Sequence, residues 1–201
     1  MYRTVRSGLT LLVMLGSVGV LTAADEAMPT STWYPLGVGA TWTYRAGENR
    51  FQMKVTEIKT VEGKPRAKIE LVVGNKTVSH EQVGISKDSV LRYTFEGKEA
   101  KPPIEFFQVP PKTDATWKVE SRVDGQLMKG AFKVGKSETI TVPAGKYTVY
   151  PVVGQDIEAN GVKMTLSYYF AERVGMVKQV IELAGQRITI ELEKYEPGKE
   201  K

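Results

Sequence analysis

From Trp33 to Glu196 apolar residues tend to recur at every second position, and no stretch sustains the 3.6-residue stripe of an amphipathic helix. Ile188, Ile190 and Leu192 alternate with Arg187, Thr189, Glu191 and Glu193. Met164, Leu166, Tyr168 and Phe170 alternate with Lys163, Thr165, Ser167 and Tyr169. Strands of this pattern bury one face and wet the other, which predicts an all-β, antiparallel fold.

Turn residues set the expected registers. Asn160-Gly161 suits a two-residue type I′ hairpin, whose central residues both need positive φ. That turn pairs Ala159 with Val162, Ile157 with Met164 and Val153 with Tyr168, and sets Glu158 against Lys163 outside. Asp124-Gly125 pairs Glu120 with Lys129 and Trp117 with Phe132 in the same way. A turn at Gly47-Glu48 places Trp42 opposite Met53 and Tyr44 opposite Phe51. Gly74-Asn75 and Ala184-Gly185-Gln186 close two further hairpins.

Two echoes suggest duplication. Ala40-Thr41-Trp42 returns as Ala115-Thr116-Trp117, and Glu81-Gln82-Val83-Gly84-Ile85 returns as Glu172-Arg173-Val174-Gly175-Met176. The expected architecture is therefore one domain over residues 33–197, in two similar three-hairpin repeats sharing a core. Repeat one spans 33–100, with 84–86 and 89–95 as its last strands, and repeat two spans 112–197. The Pro-rich stretch 101–111 is expected to be a crossover, since Pro donates no ladder hydrogen bond. The whole is predicted to form a strongly curved sheet or half-barrel of about 12 strands. Trp33-Tyr34-Pro35-Leu36 is placed to plug one end, and Val142-Pro143-Ala144-Gly145 to turn a tight corner.

The N-terminus reads as an export signal. Arg3 and Arg6 precede an apolar run from Leu9 to Leu21, and Thr22-Ala23-Ala24 supplies small residues for cleavage after Ala24. That run is shorter than a bilayer span needs, so residues 1–24 read as a signal peptide and 25–32 as a linker. The expected location is the periplasm or the exterior, with no transmembrane span after cleavage. The absence of Cys excludes disulfides and lipid attachment at a cysteine, and favours a bacterial envelope. Without Arg3 and Arg6 the chain holds 26 basic and 23 acidic residues, a net charge of +3. The basic residues are scattered, which argues against nucleic acid as a partner.

Catalytic chemistry finds little support. His80 is the one histidine, and no nucleophile elbow accompanies it. In the Gly74-Asn75 register His80 shares a face with Ile69, Leu71 and Val78, either as a half-buried sheet residue or as a base in a cavity. Zinc needs clustered Cys or His, and calcium needs clustered oxygens, so no metal or other cofactor is expected.

Trp33-Tyr34-Pro35-Leu36, Gly39, Trp42 and Tyr44, then Val142-Pro143-Ala144-Gly145 and Tyr147, then Tyr168-Tyr169 and Val174-Gly175-Met176-Val177-Lys178 resemble a family of secreted bacterial domains of unknown function. The resemblance runs from about residue 33 to 196. It implies kinship with the antiparallel half-barrels of lipoprotein carriers and other lipid-binding envelope proteins. The chain departs from them in lacking cavity-lining helices and in having Asp114-Ala115 where a second repeat glycine is expected.

Aromatic residues carry the remaining signal for binding. Trp42, Phe51, Trp117, Phe132, Tyr168 and Phe170 fall at inward positions, and with His80 they form the candidate ligand-binding set. They are either a tightly packed core or the wall of an apolar groove. The leading expectation is a non-enzymatic exported envelope protein binding an apolar small molecule or lipid on a concave β face. The alternatives are a structural or partner-binding module that offers sheet edges to another envelope protein, and an unrecognised hydrolase.

Overall fold

The computed structural model describes residues 31–199, so the signal peptide and most of the 25–32 linker lie outside the described residues. The strands are β1 (Thr41–Ala46), β2 (Asn49–Val61), β3 (Lys64–Val73), β4 (Lys76–Ser86), β5 (Ser89–Phe95), β6 (Lys98–Gln108) and β7 (Thr116–Val123). They continue as β8 (Gln126–Val134), β9 (Glu138–Val142), β10 (Gly145–Ala159), β11 (Val162–Ala171), β12 (Gly175–Leu183) and β13 (Gln186–Glu196). All their pairings are antiparallel, and the fold is all-β as predicted.

The half-barrel expectation fails, because the sheet closes. Twelve strands form a ring, β1 to β8 in order, then β10 to β13, and β13 returns to β1. The closing ladder runs from Thr41↔Glu196 to Ala46↔Ile190. An open sheet would leave two rows of unpaired backbone groups, and closure satisfies both. β9 stands outside the ring, paired with the first part of β10. A partner role through sheet edges is thus left with β9 and the thin β6–β7 seam.

Charged pairs mark the outer face of the closing ladder. Arg45 lies 3.2 Å and Lys178 3.4 Å from Glu191, and Arg50 lies 2.7 Å from Glu193. Such pairs add little stability each. They put charge, not an apolar band, on this part of the outer face.

Most expected registers hold. Trp42 faces Met53, Tyr44 faces Phe51, Trp117 faces Phe132 and Glu120 faces Lys129. Asn160 and Gly161 both have positive φ, as do Asp124 and Gly125. The Asn160-Gly161 ladder pairs Ile157 with Met164, but a bulge between Gly154 and Ile157 then puts Tyr168 opposite Val152 rather than Val153. A bulge adds one unpaired residue, which turn chemistry alone does not reveal.

The crossover over 101–111 is also corrected. Its first part belongs to β6, the strand that completes the hairpin turned at Glu96-Gly97, and 84–86 is simply the end of β4. The prolines sit where β6 leaves both ladders. Between Glu99 and Ile104 β6 is irregular against β5, and its β7 ladder consists of Ala100↔Val123 and Lys101↔Arg122. Side chains hold the rest of that seam: Ser121 Oγ donates to Pro102 O at 2.6 Å, and Trp117 Nε1 donates to Glu105 O at 2.9 Å.

One sequence echo has a geometric counterpart. Gly39 N donates to Val55 O and Ala40 N to Gly37 O; likewise Asp114 N donates to Val134 O and Ala115 N to Lys112 O. Gly39 has φ +92° and Asp114 has φ +64°, so Asp114 adopts the left-handed conformation expected of the missing glycine. The other echo is not equivalent in space. Glu81–Ile85 lies within β4, whereas 172–174 is the turn that leads into β12.

Candidate functional site

Antiparallel order puts the turns after β1, β3, β5, β7, β10 and β12 at one end of the barrel, here the upper end. Residues 31–40 lie at the other, where Tyr34 and Leu36 are buried. An eight-stranded barrel is just filled by its own side chains, and twelve strands enclose a wider interior. Aromatic rings fill the lower part. Tyr34 packs edge-on against Phe106 at 5.6 Å and lies 6.3 Å from the ring of Trp42, while Phe107 and Phe170 stack at 3.8 Å. Trp42 Nε1 donates to Val174 O and Tyr44 Oη to Met176 O, so the buried polar tips of these rings are satisfied.

The upper part is not filled. A cavity of about 580 Å³ lies there, within the size range of small-molecule sites. Ile69, Leu71, Leu127, Leu166 and Ile181 supply aliphatic wall, and Met53, Met128, Met164 and Met176 supply thioethers. Methionine side chains are flexible and adapt to irregular apolar shapes. The cavity reaches the upper turns, where Glu96, Asp124 and Asn160 line it. Val73, Val78, Phe95, Val162 and Ile188 are exposed apolar side chains close to those same turns.

A charged pair interrupts this lining. Arg92 Nε lies 2.6 Å from Glu81 Oε2, and both side chains are largely buried. Neither Arg92 Nε nor Glu81 Oε1 has a hydrogen-bond partner among the described residues, so the Nε–Oε2 contact is ionic without an aligned N–H. The Arg92 guanidinium also sits 4.6 Å from the Phe106 ring centre. Burial works to lower the Arg92 pKa, but the nearby Glu81, Tyr168 and Tyr34 outweigh it and hold Arg92 above its ordinary value. Burial, then the Glu81 charge, pushes the Tyr34 phenol up, so it stays protonated. Tyr34, Glu81, Arg92 and Tyr168 thus form a polar patch in the chamber's interior, apart from the polar residues at its upper turns.

The candidate residues divide. Phe51, His80 and Tyr168 line the cavity. Trp42, Trp117, Phe132 and Phe170 are buried core, with Trp117 and Phe132 at 5.6 Å and Phe132 and Tyr168 at 6.2 Å. His80 does not occupy the face expected. A bulge between Leu71 and Val72 sets His80 opposite Glu70, and places Glu81 opposite the inward Ile69. Its ring abuts the Glu96-Gly97 turn, where a Cβ added to Gly97 would lie 3.1 Å from His80 Cε1. Glu81 and Arg92 escaped sequence reasoning because that bulge and another between Gln82 and Val83 decide which side chains of β4 and β5 point inward.

No family model matches the chain, and no curated protein matches it. Two solved structures are similar. A candidate lipoprotein from Parabacteroides distasonis superposes with a TM-score of 0.50 at 11% identity, covering 84% of this chain and 100% of that one. A candidate exported protein with a YmcC-like fold from Bacteroides fragilis gives a TM-score of 0.45 at 12% identity, covering 82% of this chain and 98% of that one. At such identity the first likeness shows a shared fold and nothing further.

Proposed function

We propose that this is a non-enzymatic, exported envelope protein that holds an apolar or lipid-like ligand inside its barrel. The observation that carries this reading is the cavity of about 580 Å³, walled by aliphatic and thioether side chains and reaching one end of the barrel. A well-packed interior leaves few voids larger than a water molecule. Here the interior width set by twelve strands exceeds what the side chains fill, and the unfilled part is apolar. Burying an acyl chain there removes apolar surface from water on both partners, at roughly 25 cal/mol per Å². Export rests on the pattern of residues 1–24, and envelope residence also fits the lipoprotein character of the similar Parabacteroides distasonis protein.

The test is saturable binding of N-phenyl-1-naphthylamine, a neutral apolar fluorophore, to the exported chain. We expect one site per chain, lost in Met164→Trp and in Leu127→Trp, each of which adds an indole to the cavity wall. No saturable binding, or binding indifferent to both substitutions in folded protein, would overturn the reading.

A further inference from the structure

The Glu81–Arg92 pair constrains what kind of head group the cavity takes, an inference that rests on the ligand-binding reading above. The pair is neutral in sum and largely buried, and Glu81 is a wall residue whose Oε1 has no hydrogen-bond partner among the described residues. A buried acceptor without a donor is costly, and more so when it carries charge. A guest that donates a hydrogen bond to Oε1 removes that cost. A guest that brings a carboxylate or phosphodiester meets the Glu81 charge at short range and has no proton to offer it. Arg92 does not offset this: its Nε also lacks a hydrogen-bond partner among the described residues, but Glu81 Oε2 at 2.6 Å already balances its charge, so the pair offers a guest one donor and one acceptor with no net charge.

Glu81, Arg92 and Tyr168 lie in the middle of their strands, away from the upper turns, so the head would point inward and the tail towards the turns. We infer that the cavity selects uncharged amphiphiles whose head group donates a hydrogen bond to Glu81, such as a hydroxyl or a primary amide, over anionic lipids of equal chain length.

The experiment compares decanol, decanamide and decanoate as competitors of N-phenyl-1-naphthylamine on the exported chain at about pH 8, where decanoate is fully ionised. Decanol and decanamide should bind about tenfold more tightly than decanoate, as one charge-assisted hydrogen bond is worth. Glu81→Gln leaves the Arg92 cation uncompensated and should invert the order, with decanoate now tightest. Since breaking a buried pair can unfold a protein, the double substitution Glu81→Met with Arg92→Met is the second variant, because apolar replacement of a whole pair is tolerated. It should retain the fluorophore and lose the preference for decanol and decanamide. Wild-type protein that binds the fluorophore but takes decanoate as tightly as decanol overturns the head-group inference alone. Failure to bind the fluorophore at all overturns the cavity reading beneath it.

Discussion

The two ends of the barrel are enclosed by the same ring of strands but packed on opposite principles. Below, Tyr34, Trp42, Tyr44, Phe106 and Phe170 fill the width with rings, and their polar tips end on backbone carbonyls where the hydrogen bonds of Trp42 and Tyr44 are made. Above, methionines and aliphatic side chains line the wall without meeting across it. The difference teaches that a wide barrel must be closed by something other than its own strands. Residues 31–40 do this at one end, and at the other the cavity reaches the turns. Stability should therefore concentrate below and binding above.

The largest effect that could break this division is expected from Phe170→Ala. It removes a fully buried ring stacked on Phe107 and should cost about 3–5 kcal/mol, read as a lower denaturant midpoint. A loss no greater than that of a cavity-wall substitution would contradict the packed floor. Gly154→Val comes next. A Cβ at Gly154 would lie 2.5 Å from the Phe132 ring and 2.9 Å from Ile157, so overpacking should cost about 1–3 kcal/mol. Thermal unfolding measures it, and an unchanged midpoint would mean that Phe132 has room to move.

Met164→Ala sharpens the comparison from the other end. Its side chain borders existing void and is only partly buried, so truncation should cost about 1 kcal/mol or less while enlarging the chamber. The readout pairs unfolding with fluorophore affinity: stability nearly constant and affinity altered. The smallest effect belongs to the outer face. Lys68 Nζ lies 2.7 Å from Glu70 Oε1, and that hydrogen bond holds the Glu70 carboxyl below its usual range. A depressed folded-state pKa contributes stability above the unfolded value, lost as pH falls through the folded one. The small Tm difference between wild type and Lys68→Ala should therefore vanish on acidification. A difference that grows in acid would contradict the assignment.

Local chemistry made much of the ladder legible. Asp124-Gly125 and Asn160-Gly161 announced their hairpins because few residue pairs accept two positive φ values, and the registers that follow place Trp117 on Phe132 and Ile157 on Met164. Pro102 and Pro103 predict a break that β6 does not make, since prolines are tolerated where a strand leaves its ladders; Glu96-Gly97, which turns the β5–β6 hairpin, is the local signal for that strand. His80 borders the cavity beside the Glu96-Gly97 turn, while its neighbour Glu81, paired with the inward Ile69, is the buried one. A bulge moves every later side chain to the opposite face, and nothing in the strand's own composition announces one.

What the sequence by itself determined was the strand character and the hairpin turns, both set by neighbours within a few residues, and the aromatic character of the segment that plugs one end. Closure of the ring was decided only in three dimensions, because β1 and β13 lie at opposite ends of the domain and pair through backbone groups that every residue carries. The chamber followed from that closure: its width depends on how many strands join, and its charged patch on which bulges turn Glu81 and Arg92 inward.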